Sequence, residues 1–426
     1  MRIIIVDDNQ EHGTAIKRAL SLGGFTAEFF HFDERDVGKL PDSGGIRIVF
    51  CDLNLSGDGV GGTKDYATVG AVLEQIIAAE NGPYALVSWT TFAEAAGGLG
   101  EYIKERLPAH CHPIDFKIID KEQLVAPAAA EALRTAVLDV FSSFPAIRAA
   151  LEWESAVTQA TWSIFKRLED IAGVEGPERF DKRLHQIFTK LAEAEGGTNA
   201  LNRGDITHPL SIVLGRLLYD ELTRISISAM AAENDQNFEN FETKKARLNA
   251  MLHVHEPAPA AGLSGSLPGL VFPWPEDGVV SGIPDTQDRA AFIKAQFLRQ
   301  NTPPEQITQC RLVLVDVTPT CDHSQNRIAW RRFIGAILVP RALRATLESA
   351  NGAGRLSGLP AMEVIGQDYI LAFNSQLSSA VQNGEPNLRL LGAPLFQLRE
   401  QIYSDTLGWI GRQASRIGYT WFDARG

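Results

Sequence analysis

Apolar residues in the first 143 positions fall into short continuous runs separated by amphipathic stretches. The runs "RIIIVDD", "FTAEFFHF", "GIRIVFCDLNL", "PYALVSWT" and "IDFKIIDK" read as five strands. Between the first two, "EHGTAIKRALSLGG" carries Ala15, Ile16, Ala19 and Leu20 at helical spacing and stops at Gly23-Gly24. The stretches "TVGAVLEQIIAAENG", "AEAAGGLGEYIKERL" and "AAAEALRTAVLDVF" read as further helices. Strands that are apolar throughout, alternating with helices, predict an α/β doubly wound, five-stranded parallel sheet covered on both faces.

From residue 144 to 255 the strand signal disappears and helical spacing takes over. Val157, Thr161, Ile164, Phe165, Leu168 and Ile171 form one stripe; Leu184, Ile187, Phe188 and Leu191 form a second; Leu210, Leu214, Leu217, Leu218 and Leu222 form a third. Such helices pack on one another or on a partner, and a homodimer through this region is the expectation they raise. "ENDQNFENFETKKAR" is polar and reads as a solvated helix or a loop. Residues 256–269, "EPAPAAGLSGSLPG", form the clearest linker. Beyond it, "RLVLVDV", "FIGAILVP", "MEVI" and "YILAF" read as strands and "LFQLREQIYSDTLGWIGRQA" as a closing helix, which makes 270–426 a mixed, β-rich output domain, a small barrel among its options.

Composition narrows the class. The 426 residues suffice for two or three domains, and 45% hydrophobic residues can fill more than one core. A net charge of −12 disfavours non-specific nucleic-acid binding, and no helix–turn–helix signature follows the first domain. Cys51, Cys111, Cys310 and Cys321 lack paired spacing, which points to a reducing compartment rather than a disulfide framework. With no leader-like segment ahead of the first strand and no membrane-length apolar run, the expected location is the cytoplasm.

The strand ends carry the chemistry. In a parallel sheet, functional groups gather beyond the carboxyl ends of the strands. Asp7 and Asp8 end the first strand and Asp52 the third, and in the order 2-1-3-4-5 these strands are neighbours. Three converging carboxylates repel unless a cation lies between them, and oxygen-only donors suit Mg²⁺. Ser88 ends the fourth strand and Lys121 follows the fifth, with Lys117 as the alternative if the strand register shifts. The set forms a phosphoryl-transfer site with Asp52 as nucleophile and Ser88 and Lys121 stabilising the product. Single acids at strand ends also serve as ordinary helix N-caps.

On "VDDN", "VFCDLNL", "ALVSWT" and Lys121, residues 1–143 resemble a response-regulator receiver domain. The resemblance implies a histidine kinase or phosphotransfer protein as donor, Mg²⁺ as cofactor, the Asn54 backbone carbonyl as a further metal ligand beside Asp7, Asp8 and Asp52, and a switch in the loops around Ser88. The pattern departs from that family at Ser56, where the family carries proline, at Glu122 after the lysine, in the long segment from Ser88 to Lys121, and in "SGDGVGGT". The departures touch the switch and the choice of lysine and leave the acids intact.

The rest of the sequence speaks more softly. His208 precedes Pro209, and proline in a first helical turn is a plain helix start. His110, Cys111 and His112, with His253 and His255, have zinc-type side chains but no ligand-set spacing. "LVLVDVTPTCDHSQNRIAWRRFIGAILVP" faintly resembles the strand–loop–strand of PemK/MazF-type SH3-like barrels, sharing Pro319-Thr320, His323 and Gln325; Ser324, Arg327 and Phe333 replace that family's Glu, Gly and Pro. If ribonuclease chemistry survived there, Arg331 or Arg332 would stabilise its transition state. The leading expectation is a phosphorelay protein whose receiver governs its output domain. The alternatives are a receiver-gated ribonuclease-like enzyme and a scaffold that never turns over phosphate.

Overall fold

The computed structural model describes residues 3–33, 45–55, 62–122, 124, 129–173, 177–197, 206–226, 241–256, 267–275, 288–324, 328–348, 356–383 and 391–414. The chain divides into two compact units: Met1–Ile171 with Arg216–Glu233, and Ala172–Gly215 with Asn234–Gly426.

The first unit is built on β1 (Ile3–Asp7), β2 (Glu28–His31), β3 (Ile48–Cys51), β4 (Ala85–Thr90) and β5 (Asp115–Asp120). They form one parallel sheet in the order β2-β1-β3-β4-β5, the order expected for a receiver fold. Helices α1 (Gln10–Leu22), α2 (Thr63–Ile76), α3 (Leu99–Arg106) and α4 (Ala130–Ser143) cover it. Ile4, Val6, Val49, Cys51 and Leu86 face Val69, Leu73 and Ile103; Ile3, Ile5, Ile48, Phe50, Val87 and Trp89 face Ile16, Leu20, Val137 and Val140. Both faces of each central strand are therefore buried, and that is why the runs show no polar alternation. Gly13 lets α1 lie close to β2, because a Cβ there would fall 2.0 Å from the Phe29 ring.

The helix expected over "AEAAGGLGEYIKERL" is shorter. Ala95–Gly98 forms a 3-10 turn, and α3 starts only at Leu99. The adjacent glycines 97 and 98 weaken an α-helix at that point.

Among the described residues four helices follow: α5 (Pro145–Ala172), α6 (Pro177–Gly196), α7 (Thr207–Leu222) and α8 (Phe241–His253). Ile147 and Leu151 of α5 pack into the α1/α4 side of the sheet. Glu154 accepts from Arg47 Nε and Nη2 at 3.2 and 3.0 Å, and Arg47 also donates to the Asn81 carbonyl at 2.8 Å. Farther along α5, Ser163 donates to Glu221 of α7 at 3.0 Å, and Arg167 pairs with the same carboxylate. Of the polar stretch left open between helix and loop, residues 241–247 belong to α8; residues 233–240 lie outside the described residues.

The second unit contains β6 (Val254–His255), β7 (Leu270–Pro273), α9 (Arg289–Phe297), α10 (Pro304–Ile307), β8 (Arg311–Asp316), α11 (Thr320–Ser324), β9 (Trp330–Pro340), β10 (Leu356–Gly358), β11 (Met362–Val364), β12 (Gln367–Gln382), β13 (Phe396–Leu398) and α12 (Glu400–Ala414). The strands form an antiparallel sheet in the order β10-β12-β9-β8-β7-β13-β6, with β11 on β12. Among the described residues no pairing closes this path into a barrel. Residues 257–266 of the proline-rich stretch lie outside the described residues, and the strands on either side of it, β6 and β7, both pair with β13. No helix among the described residues is long and apolar enough to cross a membrane.

Candidate functional site

The carboxyl edge of the parallel sheet gathers the acids. Asp7 is the last residue of β1, and Asp52 follows β3 with its N–H on the Val6 carbonyl at 2.9 Å. Asp7, Asp8 and Asp52 each bring a carboxylate oxygen within 4.8 Å of the others, the one group among the described residues able to share a metal ion in this way. Asp7 and Asp52 are buried and Asp8 is half-buried. The acids do not cap the following helix. Asn9 does so, its side chain accepting from the N–H groups of Glu11 and His12 at 2.9 and 3.3 Å. Asp7 accepts the Asn9 N–H at 2.8 Å, and Asp52 accepts the Asn54 N–H at 3.3 Å.

Lys121 reaches into this group. Its Nζ donates to Asp52 Oδ2 at 2.5 Å and lies 3.4 Å from Asp7 Oδ2. The lysine itself is buried. Lys117, the alternative, points elsewhere: its Nζ donates to Asp139 at 2.8 Å and to Ser143 at 2.7 Å on the outside of the domain. One position along a strand moves a side chain to the opposite face, but Lys117 and Lys121 share a parity. The difference between them is depth along β5, since only Lys121 lies beyond its end.

The hydroxyl is less simple. β4 runs on to Thr90, so Ser88 sits two residues inside the strand, beside Cys51 of β3. Ser88 is fully buried, and its Oγ has no hydrogen-bond partner among the described residues. Thr90, which the sequence reading passed over, is the last residue of β4, and its carbonyl accepts the Lys121 N–H at 3.0 Å. Its Oγ1 accepts the Phe92 N–H at 3.0 Å and still has a proton to donate. Seen along the strands, Ser88 and Thr90 flank the level of Asp52. Ser56 and most of "SGDGVGGT" lie outside the described residues.

Among the solved structures that the chain matches are three response regulators. A response regulator from Thermotoga maritima is 16% identical over 33% of this chain and 97% of its own, with a TM-score of 0.21. A response regulator protein from Burkholderia pseudomallei, solved with a phosphorylated aspartic acid, calcium ion and citrate, is 15% identical over 39% of this chain and 87% of its own, at 0.22. Full-length FixJ from B. japonicum is 14% identical over 53% of this chain and 98% of its own, at 0.22. No protein-family model matches the chain, and no curated protein matches it in sequence.

Electrostatics at the rim depend on Asp7. Burial pushes its carboxyl up to about 7, with Asp52 and Asp8 adding to the rise and Lys121 and the Asn9 N–H opposing it. An unfolded aspartate titrates near 4. Between about pH 4 and about pH 7 the folded domain thus holds a proton that the unfolded chain has released. The associated stability is fully present below that window and is lost as the pH rises through 7. A divalent cation bound by these acids would take the proton's place. The metal-free protein should therefore melt lower at about pH 8 than at about pH 5, and Mg²⁺ should raise the melting temperature more at the higher pH. Calorimetry on the wild type and Asp7→Asn checks this. The variant should lose this part of the pH dependence, and an equal Mg²⁺ effect at both pH values would count against a proton on Asp7.

Among the described residues the other candidate groups do not assemble into a metal-sharing set. Ala109–Cys111 is a 3-10 turn in which Cys111 is buried, and His112 Nε2 lies 3.0 Å from the Leu107 carbonyl. In the second unit, Arg331 is committed inside the protein. It donates from Nε to Asp316 Oδ2 at 3.0 Å and pairs with the same oxygen through Nη2. Arg332 is exposed, and Gln325 lies outside the described residues. Asp316 is fully buried; Thr318 donates its N–H to Oδ1 at 2.9 Å, and His323 Nε2 lies 3.9 Å from that oxygen. Burial works to raise the Asp316 carboxyl, but His323, Arg331 and Thr318 together hold it below its ordinary value.

Proposed function

We propose that the first domain accepts a phosphoryl group on Asp52 with Mg²⁺, in the manner of a response-regulator receiver, and that the phosphorylated state governs what the C-terminal domain does. The observation that carries this reading is Lys121 Nζ placed between Asp52 and Asp7 while Asp8 completes a set of oxygen donors. The donor set suits a hard divalent cation. Asp7, Asp8 and Asp52, with the Asn54 carbonyl, would hold it, and when bound it neutralises charge on the incoming phosphoryl oxygens.

The chain's own groups divide the remaining work. One Asp52 oxygen attacks phosphorus, the bond from phosphorus to the donor breaks, and its electron pair leaves with the donor nitrogen, which takes up a proton. Lys121, already on the Asp52 carboxylate, follows the negative charge onto the phosphoryl group. The Ser88 hydroxyl, buried without an acceptor, supplies a hydrogen bond to it, and Thr90 is the second hydroxyl at that level. A histidine kinase or phosphotransfer protein is the donor this chemistry fits, and a cytoplasmic location goes with that reading.

Incubation of the full chain with a small phosphodonor tests the reading. Label should enter with Mg²⁺ and stay out when the metal is chelated. A wild-type chain that binds Mg²⁺ yet takes up no label would be a phosphorylation-independent scaffold instead.

A further inference from the structure

A cleft of about 1180 Å³ lies in the second unit between α8, the β6–β13 edge of the antiparallel sheet and β11. It is large for a small-molecule site. Side chains alternate across the sheet at this edge. Val254, Phe396 and Leu398 turn inward and are buried in the core. Gln397 and Arg399 take the other face, and His255, paired opposite Gln397, takes it with them. All three line the cleft. From α8 come Lys244, Arg247, Leu248 and Met251, which share one face of the helix. Two bonds fix the walls. Asn249 of α8 donates from Nδ2 to the Ala361 carbonyl at 2.8 Å, and the Ile365 N–H donates to Glu256 Oε1 at 2.6 Å. Both reach the backbone flanking β11, so the cleft is preformed.

Its arginines are uncommitted. Among the described residues no hydrogen bond or ion pair engages the side chain of Arg247 or of Arg399. Arg247 is exposed. Arg399 is half-buried, and of its three guanidinium nitrogens only Nε is shielded from solvent, so the Nη end of the fork is open to a ligand. Arg399 also caps α12, its carbonyl accepting the Tyr403 N–H at 2.9 Å. An arginine has no side-chain oxygen to give the first-turn N–H groups, so the positive end of a fifteen-residue helix stands beside the same guanidinium. Lys244 adds a third cation. The acids in the cleft are Glu256, already on the Ile365 N–H, and Glu363 on the β11 wall. In a chain of net charge −12, a half-buried arginine without a carboxylate is a cost that an anion relieves.

We propose that this cleft binds a small organic phosphate, its phosphate on Arg399 and Arg247 and its apolar body against Leu248 and Met251. Guanidinium forks pair with phosphate oxygens two at a time. Two arginines, a lysine and a helix N-terminus suit a dianion better than the single charge of a carboxylate. Glu363 repels the phosphate from the β11 wall and so directs it to the arginines. Leu248 and Met251 are 43% and 62% exposed, apolar surface that the body of the ligand covers. The site is separate from the phosphoacceptor chemistry and gives the C-terminal domain a ligand of its own.

Phenyl phosphate is the probe, titrated calorimetrically into the full chain beside inorganic phosphate, benzoate and phenol. A chelator keeps metal off the acidic rim of the first domain, which then repels anions. Phenyl phosphate should bind roughly tenfold tighter than inorganic phosphate, and phenol should not bind. Arg399→Met and Arg247→Gln should each weaken phenyl phosphate roughly 10- to 100-fold. Arg247 is exposed on its helix, so that variant keeps the test decisive should Arg399→Met fail to fold. Met251→Ser should weaken phenyl phosphate and leave inorganic phosphate unchanged. Wild-type affinity in both arginine variants overturns the proposal, as does a wild type that binds neither phosphate. Benzoate bound as tightly as phenyl phosphate overturns it in favour of a carboxylate site. A phosphotyrosine peptide bound more than roughly tenfold tighter than phenyl phosphate overturns it in favour of a surface for phosphorylated proteins. None of these results bears on label uptake at Asp52.

Discussion

Asp52→Asn should take up no label from a small phosphodonor with Mg²⁺ under conditions that load the wild type. A carboxamide keeps the shape of the side chain but has neither the charge nor the nucleophilic oxygen. The fold should tolerate the change. Asp52 is one of the charges that raise Asp7, and removing it relieves repulsion in a crowded group, while Lys121 keeps Asp7 as a partner. The variant should thus melt no lower than the wild type in the absence of metal. Loss of label without loss of structure would separate chemistry from folding. Equal labelling of both proteins, or label mapped by mass spectrometry to Asp8 in the variant, would displace Asp52 as the acceptor.

The second large effect belongs to the antiparallel sheet. Asp316→Ala should destabilise that sheet by about 3–5 kcal/mol, because it leaves the Arg331 guanidinium buried without a counter-charge. Arg331 sits 5.7 Å from the Phe272 ring and 5.6 Å from the Phe333 ring, so little but apolar surface would replace the carboxylate. Replacing both members together, Asp316→Leu with Arg331→Met, should cost less than the single change, since no orphaned charge remains. Native-state hydrogen exchange of β8 and β9 reads the sheet separately from the rest of the chain. A neutral Asp316→Ala would show that the pair lies in a far more polar setting than its burial implies. Arg331 is thus a structural cation and not a group free to meet a substrate.

Much of the first domain was written locally. "IIIVD" and "IVFC" are continuous apolar strands because both faces are covered, and each leads straight into an acid at the sheet's carboxyl edge. The site acids could be named because strand order brings those ends together. The hydroxyl was harder. "SWT" alternates polar and aromatic residues, and only the β4–β5 register shows that the strand continues to Thr90. Likewise, nothing local separates Lys117 from Lys121; the end of β5 decides.

In the second unit, long-range pairing erased more of the signal. "YILAF" is the apolar part of a sixteen-residue strand whose continuation, "SQLSSA", alternates half-buried and exposed positions and reads as polar. The ion pair of Asp316 with Arg331 depends on the β8–β9 register, in which Asp316 lies opposite Phe333. β6 has only two residues and follows a helix, so its sequence could not announce a strand.

That short strand also bears on how the protein is made. Every strand of the parallel sheet lies within the first 120 residues, so the receiver-like domain can assemble while the rest is still being synthesised. Val254 and His255 find their sheet partner only in β13, at Gln397 and Leu398. The nascent antiparallel sheet must therefore wait with an open edge until β13 leaves the ribosome, and that interval is when a chaperone has most to cover.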